Sequence, residues 1–350
     1  MKRAPKVAAK PAGKATAKPA PKTPAKPSRK APLTPAATKH ACFTLDADPA
    51  NPEFVASYLR VAGDECAFIE TNTAHSLPIL LAALKERGLS RESVRYVIVT
   101  HAHLDHAGGA GVLMDACPNA TLLAHPRAAR NLIDPKKLIA SATQVYGAER
   151  FAALYGVISP IPEARVLVQE DGAEVTLGGA PLRFLHTRGH AKHHFVVHDP
   201  ALSAVYTGDT LGLVYPRLQR AGLFTLASTS PTDFEPAEAR RSIARIVALG
   251  ASTAYVTHFG GVSDVAAVGS QLSRCIDQSE AWLDEAARSD APVAVLEARL
   301  RDQIRTAIDA LAQERGLTLG LSDWDVLALD VDLNAQGIAF VAERMRHPPP

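Results

Sequence analysis

Between His101 and His106 the chain sets three histidines and an aspartate in the run Thr100-His101-Ala102-His103-Leu104-Asp105-His106. Before it, Val94 to Thr100 is β-branched and apolar, which predicts a buried strand. After it, Ala107-Gly108-Gly109-Ala110-Gly111 leads into Val112-Leu113-Met114, a tight turn into a helix. A buried strand that ends in a loop this dense in imidazole and carboxylate is suited to hold a metal, because neutral imidazole and carboxylate are the usual ligands of zinc, iron and manganese. A merely solvated loop does not call for four such groups within six positions.

Other predicted strands end in the same way. Leu182–Leu185 leads to His186-Thr187-Arg188-Gly189-His190, Ser203–Tyr206 to Thr207-Gly208-Asp209, and Thr253–Thr257 directly to His258-Phe259-Gly260. Each junction delivers a His or an Asp, and glycine beside them lets the backbone turn sharply. If these strands share a sheet edge, their end groups converge on the first loop.

The rest of the chain divides by composition. Residues 1–40 carry nine Lys and two Arg with no acid, whereas residues 41–350 hold 27 basic against 36 acidic residues, a net −9. The first segment is built of Ala, Lys, Pro and Thr and reads as a disordered basic tail. It has no apolar run of a secretory signal. It could bind nucleic acid or another anionic surface weakly through its charge.

From Ala41 the pattern predicts an edge strand at Cys42–Leu45, a hairpin of Phe54–Arg60 with Cys66–Glu70, and a helix over Leu77–Arg87. Helical spacing returns over 136–156 and Ala237–Leu249. Val166–Val168, Glu174–Leu177 and Leu182–Leu185 read as a second strand-rich block. Beyond Gly261 the spacing is helical, with a capping box expected at Ser322 and Asp325 and no evident chemistry. The expected organisation is a tail at 1–40, a catalytic domain at 41–262 and a helical C-terminal region at 263–350, which packs on the body or on a second copy in a homodimer. Cys42, Cys66, Cys117 and Cys275 show no CxxC spacing, which suits reduced thiols and a cytoplasmic location. No apolar run reaches the length of a membrane span.

The run His101-x-His103-x-Asp105-His106, followed by His190, Asp209 and His258, resembles the metallo-β-lactamase superfamily, over about residues 42–262. The segments Ser57-Tyr58-Leu59 and Phe68-Ile69-Glu70-Thr71 are similar to its opening strands, with Glu70 where Asp is more usual. The likeness is strongest to the glyoxalase II-like and lactonase-like branches. It implies an α+β fold, the αββα four-layer sandwich, here with an appended helical region. It also implies two divalent ions, zinc first, with iron and manganese open: one on His101, His103 and His190, the other on Asp105, His106 and His258, with Asp209 bridging. Arg188 departs from the family pattern, which commonly has Pro before Gly-His.

The function expected on this basis is hydrolysis of a small ester, thioester or lactone. A metal-bound hydroxide attacks the carbonyl, and Asp105 or Asp209 orients it and accepts its proton. Arg188 is expected to pair with a substrate carboxylate. His194 and Tyr215 are expected near the substrate, with His194 suited to a contact behind the ligands. The rivals are a mononuclear iron sulfur dioxygenase of the same fold and a nucleic-acid-binding protein acting through its tail. A nuclease fits poorly, since a phosphodiester groove is basic and this body is acidic.

Overall fold

The computed structural model describes residues 40–229 and 233–347, apart from the side chains of 145–146. The basic tail expected before His40 lies outside them. Two six-stranded sheets form the centre. The first runs in order β1 (His40–Asp46), β2 (Ala56–Ala62), β3 (Glu65–Ile69), β4 (Val94–Ile98), β5 (Thr121–Ala124) and β6 (Val166–Val168). β1, β2 and β3 pair antiparallel, and β3 to β6 pair parallel. The second sheet comprises β7 (Glu174–Leu177), β8 (Ala180–His186), β9 (Phe195–Asp199), β10 (Ala204–Leu213), β11 (Thr253–His258) and β12 (Gly260–Val262), in that order. Only β10 and β11 pair parallel there.

Strand alternation builds the layers. Along β4, Tyr96 and Ile98 face the second sheet, where they join Phe184, Phe195, Val197 and Tyr206. Val97 and Val99 face outward into a core with Leu80 and Leu84 of α1 (Leu77–Glu86). The short α2 (Leu104–Ala107) carries the histidine loop into α3 (Ala110–Ala116), and α4 (Pro126–Ile133) completes the cover of the first sheet. On the far side, Val196 and Val205 face α7 (Pro236–Val247) and α8 (Val265–Ala287). α9 (Val293–Glu314) and α10 (Leu321–Arg346) join that core through Leu300, Ile304, Leu327 and Ile338. The C-terminal region is therefore helical and shares the outer core of the second sheet. Among the described residues, no helix is long and apolar enough to cross a membrane.

Three expectations change. The stretch 136–156 is two helices, α5 (Lys136–Tyr146) and α6 (Ala148–Tyr155), because Gly147 sits at φ +78° and breaks the helix. β6 does not join the block that follows it. Its parallel register with β5 completes the first sheet. The capping box expected at Ser322 and Asp325 does not form: the helix starts two residues earlier with Gly320 as its N-cap, and only the Asp323 carboxylate reaches back, accepting from the Gly320 N–H at 2.9 Å. Arg220 also pairs with Asp323 at 2.7 Å, which fixes that choice.

Candidate metal centre

The parallel strands explain why distant residues meet. β4 delivers His101, β10 delivers Asp209 within the strand, β11 ends at His258, and the loop between β8 and β9 brings His190. Loops beyond the carboxyl ends of parallel strands are where α/β proteins gather their functional groups. All seven residues expected as ligands come together. In three overlapping sets, His101–His103–His190, His101–His106–Asp209 and Asp105–His106–His258, the donor atoms lie within 4.8 Å of one another.

Asp209 stands between the outer sets. Its Oδ2 is 3.4 Å from His190 Nε2, and its Oδ1 is 3.2 Å from His106 Nε2 and 3.6 Å from His258 Nε2. Asp105 Oδ2 lies 3.6 Å from His106 Nε2 and 3.5 Å from His258 Nε2. With its side chain 44 % exposed, Asp105 marks the open side of the pocket.

The polar backing fixes which ring nitrogens point inward. His258 Nδ1 lies 3.1 Å from the Phe54 carbonyl and His190 Nδ1 3.2 Å from the Ser228 carbonyl, so each donates there and turns Nε2 to the pocket. His101 Nε2 is buried and has no hydrogen-bond partner among the described residues, while Asp209 Oδ1 is buried against the rings of His106 and His258. Buried polar atoms are rarely left unpaired, and a cation held beside His101 would account for its free nitrogen.

Protonation tendencies agree. Burial drives His101 and His103 well below the ordinary imidazole value, leaving them neutral and able to ligate. Burial also opposes charge on His258, but Asp209 and Asp105 outweigh it and raise the group to about 9. Burial likewise opposes ionisation of Asp209, and His106, His258 and His190 overcome it, holding the carboxyl well below the usual range. The carboxylates thus ask for positive charge in this pocket, which protons supply when no cation does. A set of imidazole and carboxylate donors without thiolate fits zinc, iron or manganese.

The residues expected at the substrate take different places. His194 is fully buried behind Asp209. Its Nε2 accepts from the Asp209 backbone N–H at 3.3 Å, so Nδ1 carries the proton and donates to Thr187 Oγ1 at 2.8 Å. Substrate therefore has no access to it. Two glycines permit this closeness. A Cβ on Gly208 would lie 2.5 Å from His194 Nε2, and one on Gly189 would lie 2.3 Å from the backbone N of Ala239 in α7. Arg188 is half-exposed, and its guanidinium pairs with Glu235 at 3.1 Å, so the fork expected for a substrate carboxylate is occupied by one of the chain's own. Tyr215 is buried, stacks on Phe54 at 5.2 Å between ring centroids, and donates its hydroxyl to Asp330 of α10 at 3.1 Å.

Sequence reasoning missed three residues. Glu70 Oε2 lies 3.3 Å from His106 Nδ1; its segment resembles the family's opening strands, but nothing in the sequence assigns it a role at the site. Ser228 lies in an irregular segment that carries no motif. Asp330 lies in a helical region where no chemistry was expected, and its packing against the pocket is a tertiary fact.

The family described as the metallo-beta-lactamase superfamily matches residues 50–258. Metallo-beta-lactamase fold-containing protein ST1585 of Sulfurisphaera tokodaii is 30 % identical over 128 residues, covering 35 % of this chain and 47 % of the relative. A hydroxyacylglutathione hydrolase of Pseudomonas aeruginosa is 26 % identical over 220 residues, covering 61 % of this chain and 65 % of the relative. The chain thus spans between about half and just under two thirds of the length of these curated relatives. The crystal structure of ST1585 superposes with a TM-score of 0.60 at 20 % identity, covering 85 % of this chain and 97 % of that one. Metallo-beta-lactamase family protein TTHA1429 from Thermus thermophilus superposes with a TM-score of 0.55 at 21 % identity, covering 87 % and 92 %. These two likenesses show the shared fold.

Proposed function

The chain belongs to the metallo-β-lactamase superfamily, and from that premise we propose that it is a metal-dependent hydrolase of small esters, thioesters or lactones. In this reading the pocket holds two divalent ions, zinc first. His101, His103 and His190 take one, Asp105, His106 and His258 take the other, and Asp209 reaches both. The observation that carries the reading is the double reach of Asp209, with one oxygen toward His190 and the other toward His106 and His258. A single-ion pocket leaves Asp105, His106 and His258 without a task.

Divalent ions held by these residues would lower the pKa of a water towards neutrality and draw charge from a carbonyl oxygen. The chain's own residues do the rest. Phe54 O and Ser228 O keep His258 and His190 turned inward. Asp105, on the open side, is placed to accept a proton from the attacking water. Thioesters are the first substrates to test, since one similar protein is named a hydroxyacylglutathione hydrolase. The catalytic unit is residues 41–262, with 263–350 as its helical appendage.

The test is metal content and turnover of the wild type and His258→Ala, on a panel of acyl thioesters, lactones and phosphodiesters. The expected result is about two metals per chain, falling towards one in the variant, with kcat on a carbonyl substrate lost by about 100-fold or more. A wild type that holds one iron, consumes oxygen with a persulfide and is indifferent to His258→Ala would establish the dioxygenase reading instead.

A further inference from the structure

We propose that Asn334 of α10 is a positioning residue for His190, so that the C-terminal helical region is part of the support of the metal centre. The proposal rests on the reading of His190 as a ligand to one of two ions.

The link runs through Ser228. Its carbonyl lies 3.2 Å from His190 Nδ1, and its hydroxyl lies 3.5 Å from Asp209 Oδ2. One residue thus touches two of the expected ligands. Ser228 lies outside regular structure, and the nearest ladder contact is two residues earlier, where Leu226 bridges Leu213 of β10. The aim of its carbonyl therefore depends on side chains.

Asn334 supplies that anchor. Its Oδ1 accepts from the Thr229 N–H at 2.6 Å and from the Thr229 hydroxyl at 2.8 Å, and its Nδ2 donates to the Ala227 carbonyl at 3.1 Å. The amide brackets Ser228, with one prong on the residue before it and the other on the residue after. An N–H calls for an acceptor and a carbonyl for a donor, which fixes the amide's orientation. A carboxylate could serve Thr229 alone. Asp330, one turn earlier on α10, takes the Tyr215 hydroxyl, which ties the same helix to the body.

The consequence falls on the proton of His190. With Nδ1–H held by the Ser228 carbonyl, Nε2 keeps its lone pair for an ion. Asp209 Oδ2, 3.4 Å from Nε2, competes for that proton once Ser228 drifts, and a proton on Nε2 blocks ligation there.

The test loads the full chain with cadmium-113 or with zinc. The cadmium spectrum of the wild type should show two resonances, and the one lost in His190→Gln marks the ion on His190. Asn334→Ala should move that resonance and leave the other in place. Competition with a chelator should show zinc bound about tenfold more weakly at one of the two sites. Thr229→Val keeps the N–H and removes the hydroxyl, so it should move the same resonance by less, and it decides the matter if Asn334→Ala does not fold. Leu296→Ala removes buried volume from α9 and lowers the melting temperature. It should leave both resonances in place, which separates positioning from loss of stability. Resonances unmoved in Asn334→Ala, both moved alike, or moved as far by Leu296→Ala would overturn the assignment. A wild type that takes up one ion, whose resonance Asn334→Ala moves, would keep the assignment and overturn the two-ion reading. A wild type that takes up none would overturn both.

Discussion

Glu70 and Asp209 hold His106 from opposite ring nitrogens: Glu70 Oε2 is 3.3 Å from Nδ1, and Asp209 Oδ1 is 3.2 Å from Nε2. Glu70 is itself fixed, with its other oxygen accepting from the Thr100 N–H at 3.2 Å. Glu70 therefore keeps the proton on Nδ1, and the two carboxylates together fix the aim of His106. Glu70→Gln keeps the size of the side chain and loses its charge. Carboxylates behind metal-binding histidines typically contribute about 10–100-fold in affinity. We predict a loss of that size at one of the two proposed ion sites, with fold unchanged, read by competition with a chromogenic chelator. Equal affinity in the variant would mean that His106 is held without the carboxylate.

The two sheets are pinned by a second buried contact. Arg60 of β2 pairs with Asp199 at the end of β9, and both side chains are fully buried. Removing one partner strands the other charge in the core. We predict that Asp199→Ala lowers stability by about 3–5 kcal/mol, and that Arg60→Met with Asp199→Leu recovers most of that loss. Urea unfolding of the single and double variants checks both. A single variant within about 0.5 kcal/mol of wild type would show that water reaches Arg60.

The part of the site that was legible in the sequence is the part carried by strand ends. His101, Asp209 and His258 each follow or close a β-branched run, so local pattern placed them, and the spacing of the first loop supplied His103, Asp105 and His106. The sandwich came with that pattern through family resemblance. What lay outside local pattern was pairing and approach. Nothing local tells β6 to extend the first sheet beside β5, since the choice rests on register with a strand far earlier in the chain. His194 sits in the turn just before β9, where nothing local shows that it is buried behind Asp209. Asp330 reaches Tyr215 only because α10 packs back on the body.

Gly208 is where the close packing behind Asp209 is most exposed to test. It sits at φ +50°, and a Cβ there would come within 2.5 Å of both His194 Nε2 and Thr100 Oγ1. Gly208→Ala must displace His194 or the strand that carries Asp209. Strain of this kind costs about 1–3 kcal/mol. We predict a lower melting temperature together with weaker metal retention on dialysis, because Asp209 is the next residue. Retention equal to wild type would show that β10 absorbs the methyl group without moving Asp209.

The last prediction concerns pH and Asp330. Burial, helped by the nearby charges of Asp209 and Asp105, raises its carboxyl to about 7, against opposing contributions from His258 and the Tyr215 hydrogen bond. In the unfolded chain the group returns to about 3.8. Between these values the folded chain keeps a proton that the unfolded chain has released. Stability from this group therefore falls as pH rises through that window and levels off above about 7. Asp330→Asn keeps an acceptor for the Tyr215 hydroxyl and cannot ionise. We predict that the variant gains about 1–2 kcal/mol on wild type between about pH 5 and about pH 8, a range reduced because the residue is only half-buried. Chelator-stripped protein is required, since bound cations favour the ionised carboxyl and would mask the effect. Urea unfolding of both proteins at the two pH values gives the difference directly. A gap between variant and wild type that is the same at both would show that Asp330 is already ionised in the folded chain.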